Sequence, residues 1–105
     1  MSFEASVYRA VMQVPRGRVT SYGLIAQAVG RPGSSRAVGN ALGRNRDLDA
    51  VPCYRVVRSD GSVGGYAGGM QEKMRRLRAD GIAIKGGRID GFENLLFAPE
   101  KVTGP

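Results

Sequence analysis

The chain contains one cysteine, Cys53, within the hexapeptide PCYRVV at residues 52–57. A cysteine thiolate is a strong nucleophile, but a nearby base or positive charge is needed to generate it at neutral pH. This thiol is held between a rigid proline and a basic residue that is followed by an apolar pair. It can therefore serve either as a nucleophile or as an inert part of the core, and the hexapeptide alone leaves both roles open.

The length and composition predict one folded domain. We expect a single domain over residues 1–105, with a loose tail from about residue 98. No run approaches the ~20 apolar residues of a membrane span, and the N-terminus lacks the apolar core of a signal peptide. One unpaired cysteine favours a reducing compartment, so we expect a cytoplasmic monomer, nucleoid-associated if bacterial. With no histidine and one cysteine, we expect no metal site. We also expect no cofactor, and no membrane partner because no apolar span is present.

The charge points to a polyanionic partner. Lysine and arginine number 16 against 9 acidic residues, which gives a formal net charge of +7. Thirteen of the sixteen basic residues are arginine, whose planar guanidinium binds phosphate through two hydrogen bonds. Nucleic acid is the simplest such partner. A basic protein without a specific anionic partner is the alternative.

Hydrophobic periodicity predicts four helices. The first covers about residues 2–14, and the fourth covers about residues 70–79. The second is capped by Ser21 and stops at Gly30, and the third runs from a serine cap at residue 34 or 35 to about Leu42. The second and third helices, joined by residues 30–33 behind a supporting first helix, have the pattern of a helix-turn-helix.

The third predicted helix has a bare polar face. Its apolar face carries Ala37, Val38, Ala41 and Leu42, and its opposite face carries Arg36, Gly39, Asn40 and Gly43. A helix that reads base edges in the major groove usually projects several long polar side chains. Small residues instead permit the close approach that a narrow minor groove demands. They would equally suit packing against protein, and the pattern leaves both interpretations open.

Two β-hairpins are predicted around glycine-containing turns. The first joins residues 56–58 to residues 62–64 through an Asp-Gly turn and would form a wing, and the second spans residues 82–90. Between them, residues 64–69 form a glycine-rich loop that holds Tyr66 and lacks the spacing and lysine of a phosphate-binding loop. The predicted fold is therefore mostly α with a small β-hairpin, a winged helix-turn-helix domain.

Several motifs together carry a resemblance to a known family. They are PRG at 15–17, TSYG at 20–23, SRAVGNA at 35–41, Asn45, PCYRVV at 52–57 and GYAGG at 65–69. In their order and spacing, from about Phe3 to Ile82, the chain resembles the DNA-binding domain of methylated-DNA–protein-cysteine methyltransferases. It equally resembles that of their shorter relatives, the alkyltransferase-like proteins.

The resemblance implies repair of guanine alkylated on its exocyclic oxygen. The family binds the minor groove through its helix-turn-helix, rotates the damaged nucleotide out of the stack, and transfers the alkyl group irreversibly to a cysteine thiolate. Cys53 would be the nucleophile, Asn45 its brace, and Arg36 the side chain that fills the gap in the stack. Tyr22 would press on the backbone beside the flipped nucleotide. The implied DNA-binding residues are Tyr22, Arg36, Ala37, Gly39, Asn40 and Arg55, and the implied base pocket is Val56, Val57, Tyr66, Ala67 and Gly68.

Each of these assignments has an ordinary alternative when taken singly. Tyr22 could be an apolar residue at a helix start, Arg36 a surface residue of a first turn, and Tyr66 a cover over the core. The joint spacing of the motifs favours the roles that the resemblance implies.

The sequence departs from active methyltransferases at the chemistry. They carry a histidine after the cysteine, linked to it through water and backed by a glutamate. Here the histidine position is Tyr54, a poor base at neutral pH because its reference pKa is ~10. The glutamate position is Asp80, one methylene shorter, and we expect the usual N-terminal domain to be missing because Phe3 already begins the DNA-binding part. Alkyltransferase-like proteins typically have tryptophan or another non-nucleophile where this chain has Cys53.

Three functions are therefore considered. The first is a non-enzymatic sensor that binds double-stranded DNA containing alkylated guanine and recruits nucleotide excision repair proteins. The second is a single-turnover methyltransferase in which Arg55 or a helix N-terminus helps to ionise Cys53. The third is a winged-helix transcription regulator, which the bare third helix disfavours. The lost histidine, the shorter acid and the expected missing domain favour the sensor.

Overall fold

The computed structural model describes residues 1–102, so the last three residues of the predicted tail lie outside the described residues. Its helices are α1 Phe3–Met12, α2 Tyr22–Ala28, α3 Ser35–Gly43, α4 Met70–Ala79 and α5 Phe92–Leu95, with a 3₁₀ turn at Cys53–Arg55. Its strands are β1 Thr20–Ser21, β2 Val56–Val57, β3 Ile84–Lys85 and β4 Arg88–Ile89. The prediction of a mostly helical fold of helix-turn-helix type is confirmed. The short helix α5 was not predicted.

The first helix is the support on which the helix-turn-helix rests. It begins where the Ser2 hydroxyl accepts a hydrogen bond from the Ala5 amide, and its buried side chains are Val7, Ala10 and Val11. This apolar stripe packs against both α2 and α3. The helix is slightly shorter than predicted because Pro15 ends the segment two residues beyond its cap.

The helix-turn-helix is formed by α2 and α3. The Ser21 hydroxyl caps α2 by accepting from the Leu24 amide at 3.1 Å, as predicted, and Gly30 at φ +77° follows its last turn. The Ser34 hydroxyl instead donates to the Arg31 carbonyl oxygen, so it does not cap α3. Ala37 is exposed, and its predicted place on the apolar face of α3 is therefore wrong.

The first predicted hairpin is also wrong. Strand β2 pairs in parallel with β1, with Thr20 opposite Val56 and Ser21 opposite Val57. The Asp-Gly turn itself is present, because the Arg58 amide donates to the Ser62 carbonyl at 2.9 Å. A two-residue strand that is fully buried suits a central parallel pair better than an exposed hairpin. The second predicted hairpin is confirmed as the antiparallel pair of β3 and β4.

The segment after Phe97 is attached to the helical part. The Gln13 side chain exchanges two hydrogen bonds with the backbone of Glu100, and the Val102 amide donates to the Ala28 carbonyl at 2.8 Å. The predicted loose tail is therefore wrong for residues 98–102. None of the helices within residues 1–102 is long and apolar enough to cross a membrane.

The core consists of two apolar clusters with the cysteine segment between them. The first lies among α1, α2 and α3 and includes Cys53 and Val56. The second lies beneath α4 and the β3–β4 hairpin and includes Tyr54 and Val57. Successive residues of this segment thus contribute to opposite clusters, which fixes the backbone that presents the thiol.

Candidate functional site

A cavity of about 490 Å³ opens where α3 meets the cysteine segment and the glycine-rich loop. It is lined by Tyr22, Ser35, Arg36, Gly39, Leu42, Gly43, Cys53, Arg58, Gly65, Tyr66 and Ala67. Its walls therefore come from both helices of the helix-turn-helix and from two loops that are distant in sequence. Five of these lining residues were not among the predicted site residues: Ser35, Leu42, Gly43, Arg58 and Gly65.

The wall formed by α3 is almost without side chains. A Cβ at Gly39 would stand 4.0 Å from the Tyr22 ring, and a Cβ at Gly43 would have no neighbour within 4 Å. The Arg36 side chain is exposed at the edge of the cavity, and Ala37 and Asn40 are exposed beside it. The outer face of α3 is thus one long cation among small or short residues, which lets another molecule approach its backbone closely.

Cys53 lies at the inner wall with only 4% of its surface exposed. The Asn45 side-chain amide donates to the Cys53 Sγ at 3.6 Å and to the Val51 carbonyl at 3.2 Å. Burial raises the pKa of the Cys53 thiol, while the Asn45 hydrogen bond and the charge of Lys73 act in the opposite direction. The net effect is a raised pKa, so the thiol is mainly protonated at neutral pH.

Tyr54 and Asp80 form a closed pair. The Tyr54 hydroxyl donates to the Asp80 Oδ2 at 2.8 Å, and the same carboxylate is held by Arg55 at 3.3 Å and Arg16 at 3.4 Å. Burial and the hydrogen bond to Asp80 raise the pKa of Tyr54. The phenol therefore keeps its proton and gives its one hydrogen bond to Asp80, so it is not a base for Cys53.

The two replacements found in the sequence compensate each other in length. Tyrosine reaches further from the backbone than the histidine expected at residue 54, and aspartate reaches less far than the glutamate expected at residue 80. Their contact at 2.8 Å shows that the longer and shorter side chains still meet. The pair thus links the cysteine segment to the end of α4 through a phenol that keeps its proton.

The structure separates some predicted site residues from the cavity. Val56 and Val57 are fully buried in the two core clusters, so they do not form the wall of a pocket. The Arg55 guanidinium donates to the Val14 carbonyl at 2.9 Å and pairs with Asp80, so it is occupied within the protein. The positive charges that lower the pKa of Cys53 are instead those of Lys73 and Arg76.

The glycine-rich loop contributes Tyr66 and Ala67 to the cavity, whereas Gly68 stands behind them. A Cβ at Gly68 would lie 2.8 Å from the Tyr66 Cε2, so glycine at this position is what lets the Tyr66 ring take its place. The Tyr66 hydroxyl is buried and has no hydrogen-bond partner within residues 1–102. Leaving a buried hydroxyl without a partner costs free energy, so this group requires a partner that the described residues do not supply.

Lys73, which lies behind the cavity wall, was also missed by the sequence analysis. It is fully buried on α4, and its Nζ donates to the carbonyl oxygens of Val56 at 2.7 Å and Gly65 at 2.9 Å. Residues 70, 73 and 77 share one face of a helix, and two of them are Met70 and Leu77. Met70 itself is exposed, and a lysine on such a face ordinarily keeps its ammonium in water, so the sequence did not indicate that the Nζ of Lys73 is buried.

Two solved structures are close to this fold. S. pombe Atl1 in complex with damaged DNA containing O6-carboxymethylguanine has a TM-score of 0.81 and 33% sequence identity, and the match covers 92% of this chain and 95% of that chain. Mycobacterium tuberculosis OGT in complex with DNA has a TM-score of 0.73 and 40% identity over 76% of this chain and 50% of that chain. Both matches support a fold of helix-turn-helix type, and the match to S. pombe Atl1 extends over almost the whole chain.

Curated relatives are similar in sequence but longer. The bifunctional methyltransferase/endonuclease of Picrophilus torridus is 52% identical over 84 residues, which are 80% of this chain and 28% of that protein. The methylated-DNA–protein-cysteine methyltransferase of Salmonella typhimurium is 46% identical over 82 residues, 78% of this chain and 48% of that protein. This chain thus spans about half or less of the length of these relatives. Residues 2–82 match the family model described as the 6-O-methylguanine DNA methyltransferase DNA-binding domain, and the chain belongs to that family.

Proposed function

We propose that this protein recognises O6-alkylguanine in double-stranded DNA, by binding the minor groove and rotating the damaged nucleotide into the cavity beside Cys53. It acts there as a damage sensor that leaves the alkyl group in place and passes the lesion to nucleotide excision repair proteins. The likeness to S. pombe Atl1, which was solved with DNA containing O6-carboxymethylguanine, supports this reading of the site.

The geometry of the cavity supports nucleotide flipping. Rotating a base out of the duplex costs a few kcal/mol, and an inserted side chain together with a fitted pocket offsets that cost. Arg36 stands exposed at the cavity edge, on a helix whose neighbouring residues are small. The Tyr22 hydroxyl lies 3.4 Å from the Gly65 carbonyl on the opposite wall. Flipping requires a pocket for the base beside an exposed side chain that can fill the gap in the stack. The cavity and Arg36 have this arrangement.

The hydrogen bond between Tyr54 and Asp80 is the observation that carries the sensor role. It uses the hydroxyl proton of Tyr54, the residue that follows the cysteine. Burial also raises the pKa of the Cys53 thiol. The cavity beside Cys53 is therefore present, but the residue after the cysteine, Tyr54, does not act as a base that could deprotonate the thiol. Binding without efficient transfer is the expected result.

A single-turnover methyltransferase is the second candidate. Cys53 lines the cavity, and it can receive an alkyl group if a nearby positive charge raises its thiolate fraction. Relatives that share 46% identity are named methyltransferases. A transcription regulator is disfavoured, because the outer face of α3 has little with which to read base edges. A footprint at one undamaged sequence would favour that third function.

Intact-protein mass after incubation with a duplex containing O6-methylguanine separates the first two candidates. We expect tight and damage-selective binding with no gain in mass. A gain of one methyl group that is absent from Cys53→Ser would show a working methyltransferase. Equal affinity for damaged and undamaged duplexes would contradict both damage-specific functions.

A further inference from the structure

Arg58 is a cation of the cavity wall that no acidic side chain neutralises. No aspartate or glutamate is among the described residues that line the cavity. Within residues 1–102, no carboxylate lies within ion-pair distance of the Arg58 guanidinium. Asp60, which is close in sequence, is held instead by the Ser62 hydroxyl at 2.7 Å and by Arg88 at 3.8 Å. The positive charge of Arg58 is therefore available to a molecule in the cavity.

The turn that carries Arg58 has a fixed backbone. The Arg58 amide donates to the Ser62 carbonyl at 2.9 Å, and the Ile89 amide of β4 donates to the Gly61 carbonyl at 2.8 Å. Ile89 lies outside residues 2–82, the segment that matches the family model. The second hairpin thus holds the turn from which Arg58 projects, and it does so with residues beyond the matched segment.

The Arg58 side chain borders the part of the cavity that contains the thiol. A Cβ at Gly64 would lie 3.4 Å from the Arg58 Cγ and 3.5 Å from the Tyr22 hydroxyl oxygen, so the arginine stem and the tyrosine lie close together. Burial raises the pKa of Tyr22, a charge on Cys53 also raises it, and the charge of Arg58 lowers it. Arg58 and Cys53 are therefore both within electrostatic reach of one hydroxyl group. A substituent that enters the cavity beside Cys53 lies within the field of the guanidinium.

We propose that Arg58 makes this cavity selective for O6-alkyl groups that end in a carboxylate, over neutral groups of the same shape. The inference rests on the proposed function, because it names the class of adduct that the same cavity prefers. It assigns Arg58 a role in specificity that differs from the role of Arg36, which stands at the cavity edge as the wedge.

The selectivity follows from the cost of moving a charge. A carboxylate is ionised at neutral pH, and removing it from water without a partner is costly. A guanidinium offers two parallel N–H groups that match the two oxygens of a carboxylate. Arg58 is itself exposed, so it loses little hydration when it forms this pair. A methyl group gains nothing from the same charge, and its recognition depends on the rest of the wall.

A pair of adducts that differ only in charge tests this role. Duplexes of one sequence carry O6-carboxymethylguanine, O6-carbamoylmethylguanine or unmodified guanine, and fluorescence anisotropy gives their affinities for the wild type, Arg58→Gln and Arg78→Gln. The wild type should bind the carboxymethyl duplex roughly three- to fivefold more tightly than the carbamoylmethyl duplex. Arg78→Gln, at an exposed arginine of α4, should keep this ratio. Arg58→Gln should lower it to about one or less.

The ratio also separates a contact with the adduct from a contact with the DNA backbone. If Arg58 binds a phosphate, Arg58→Gln should weaken all three duplexes equally and leave the ratio of the two adducts unchanged, and this result would overturn the proposal. A ratio of one in the wild type would overturn it as well. Arg58→Glu reverses the charge, so it should invert the ratio in favour of the neutral adduct.

The duplex with unmodified guanine distinguishes failure of this inference from failure of the proposed function. Binding that favours both adducts over unmodified guanine, but does not distinguish the adducts from each other, would retain the damage-specific function and remove the role of Arg58. Equal affinity for all three duplexes would remove both.

Discussion

At the scale of single residues, a substitution at Tyr66 best distinguishes an effect on stability from an effect on DNA affinity. Its hydroxyl is buried without a partner in the described residues, so Tyr66→Phe should leave the free energy of unfolding unchanged or raise it by up to about 1 kcal/mol. If a flipped base supplies the missing partner, affinity for damaged duplex should fall about three- to tenfold. Urea unfolding and fluorescence anisotropy measure the two effects.

Tyr8→Phe is the control for that experiment. The Tyr8 hydroxyl contacts Glu4 at 2.7 Å and donates to the Ala41 carbonyl at 2.8 Å, so its loss should cost about 1 kcal/mol of stability. If Tyr66→Phe is as destabilising as Tyr8→Phe, the Tyr66 hydroxyl is already satisfied in the free protein, and the binding argument fails.

The contact between Tyr54 and Asp80 predicts that both residues must be substituted together to raise methyl transfer. Tyr54→His alone should raise methyl transfer little, because the shorter histidine would not reach the shorter aspartate that now meets tyrosine at 2.8 Å and that would have to orient the imidazole. Tyr54→His combined with Asp80→Glu should reconnect the two side chains and raise the rate of methyl transfer to Cys53, measured by intact mass. A rate as high in the single variant as in the double variant would show that the link to residue 80 does not matter.

The sequence indicates which side chains of the site are exposed more readily than it indicates the partners of those that are buried. Arg36 was placed by its position at the head of a bare helix, and it is exposed at the cavity edge. Arg55 was assigned to DNA binding and Lys73 was not considered, because a basic residue in a sequence gives no sign of the carbonyl that will hold it. Both end on backbone oxygens of distant segments, which only the tertiary fold brings within reach.

At the scale of elements, substitutions in α3 should change stability and DNA affinity in opposite directions. Gly39→Ala and Gly43→Ala should each stabilise the helix by roughly 0.5–1 kcal/mol, because alanine is the better helix former and neither Cβ meets an atom closer than 4.0 Å. Both should nevertheless weaken binding to duplex DNA if the groove lies against this backbone. Thermal unfolding and titration of the same samples test this, and unchanged affinity would place the DNA elsewhere.

The head of the same helix predicts a second effect. Arg36→Ala should reduce affinity for duplex containing O6-methylguanine on the order of tenfold, because the flipped state costs a few kcal/mol and loses its wedge. Single-stranded DNA with the same lesion needs no wedge and should be bound almost as before. Arg78→Ala, an exposed arginine on α4, controls for loss of charge. Equal losses on single and double strands would contradict the wedge.

Elements were predictable when their signals were local. Helix α4 begins and ends at the predicted residues, Met70 and Ala79, because glycines precede it and its apolar spacing is regular. The pairing of β1 with β2 was missed, because two-residue strands 36 positions apart in the register Thr20–Val56 leave no local periodicity. The cavity depends on that pairing, since it holds the cysteine segment beside the start of α2. This part of the site could therefore not be predicted from the sequence.

At the scale of the whole molecule, charge and cavity should contribute separately to recognition. The net charge of +7 attracts any duplex through its phosphates. This attraction weakens as salt rises, because releasing the same counterions into a more concentrated solution gains less free energy. The cavity wall is mostly uncharged, and its arginines, Arg36 and Arg58, are exposed. Selection of a damaged base inside the cavity should therefore depend little on salt.

The resulting prediction concerns two affinities measured on the same protein. Between about 50 and 200 mM salt, the affinity for undamaged duplex should fall by roughly a hundredfold or more, and the affinity for duplex containing O6-methylguanine should fall in parallel. The ratio of the two should stay nearly constant, because the phosphate contacts are common to both and the base contacts are short-range. A ratio that collapses with salt would mean that Arg36 and Arg58, rather than the apolar wall beside Cys53, distinguish damaged from normal DNA.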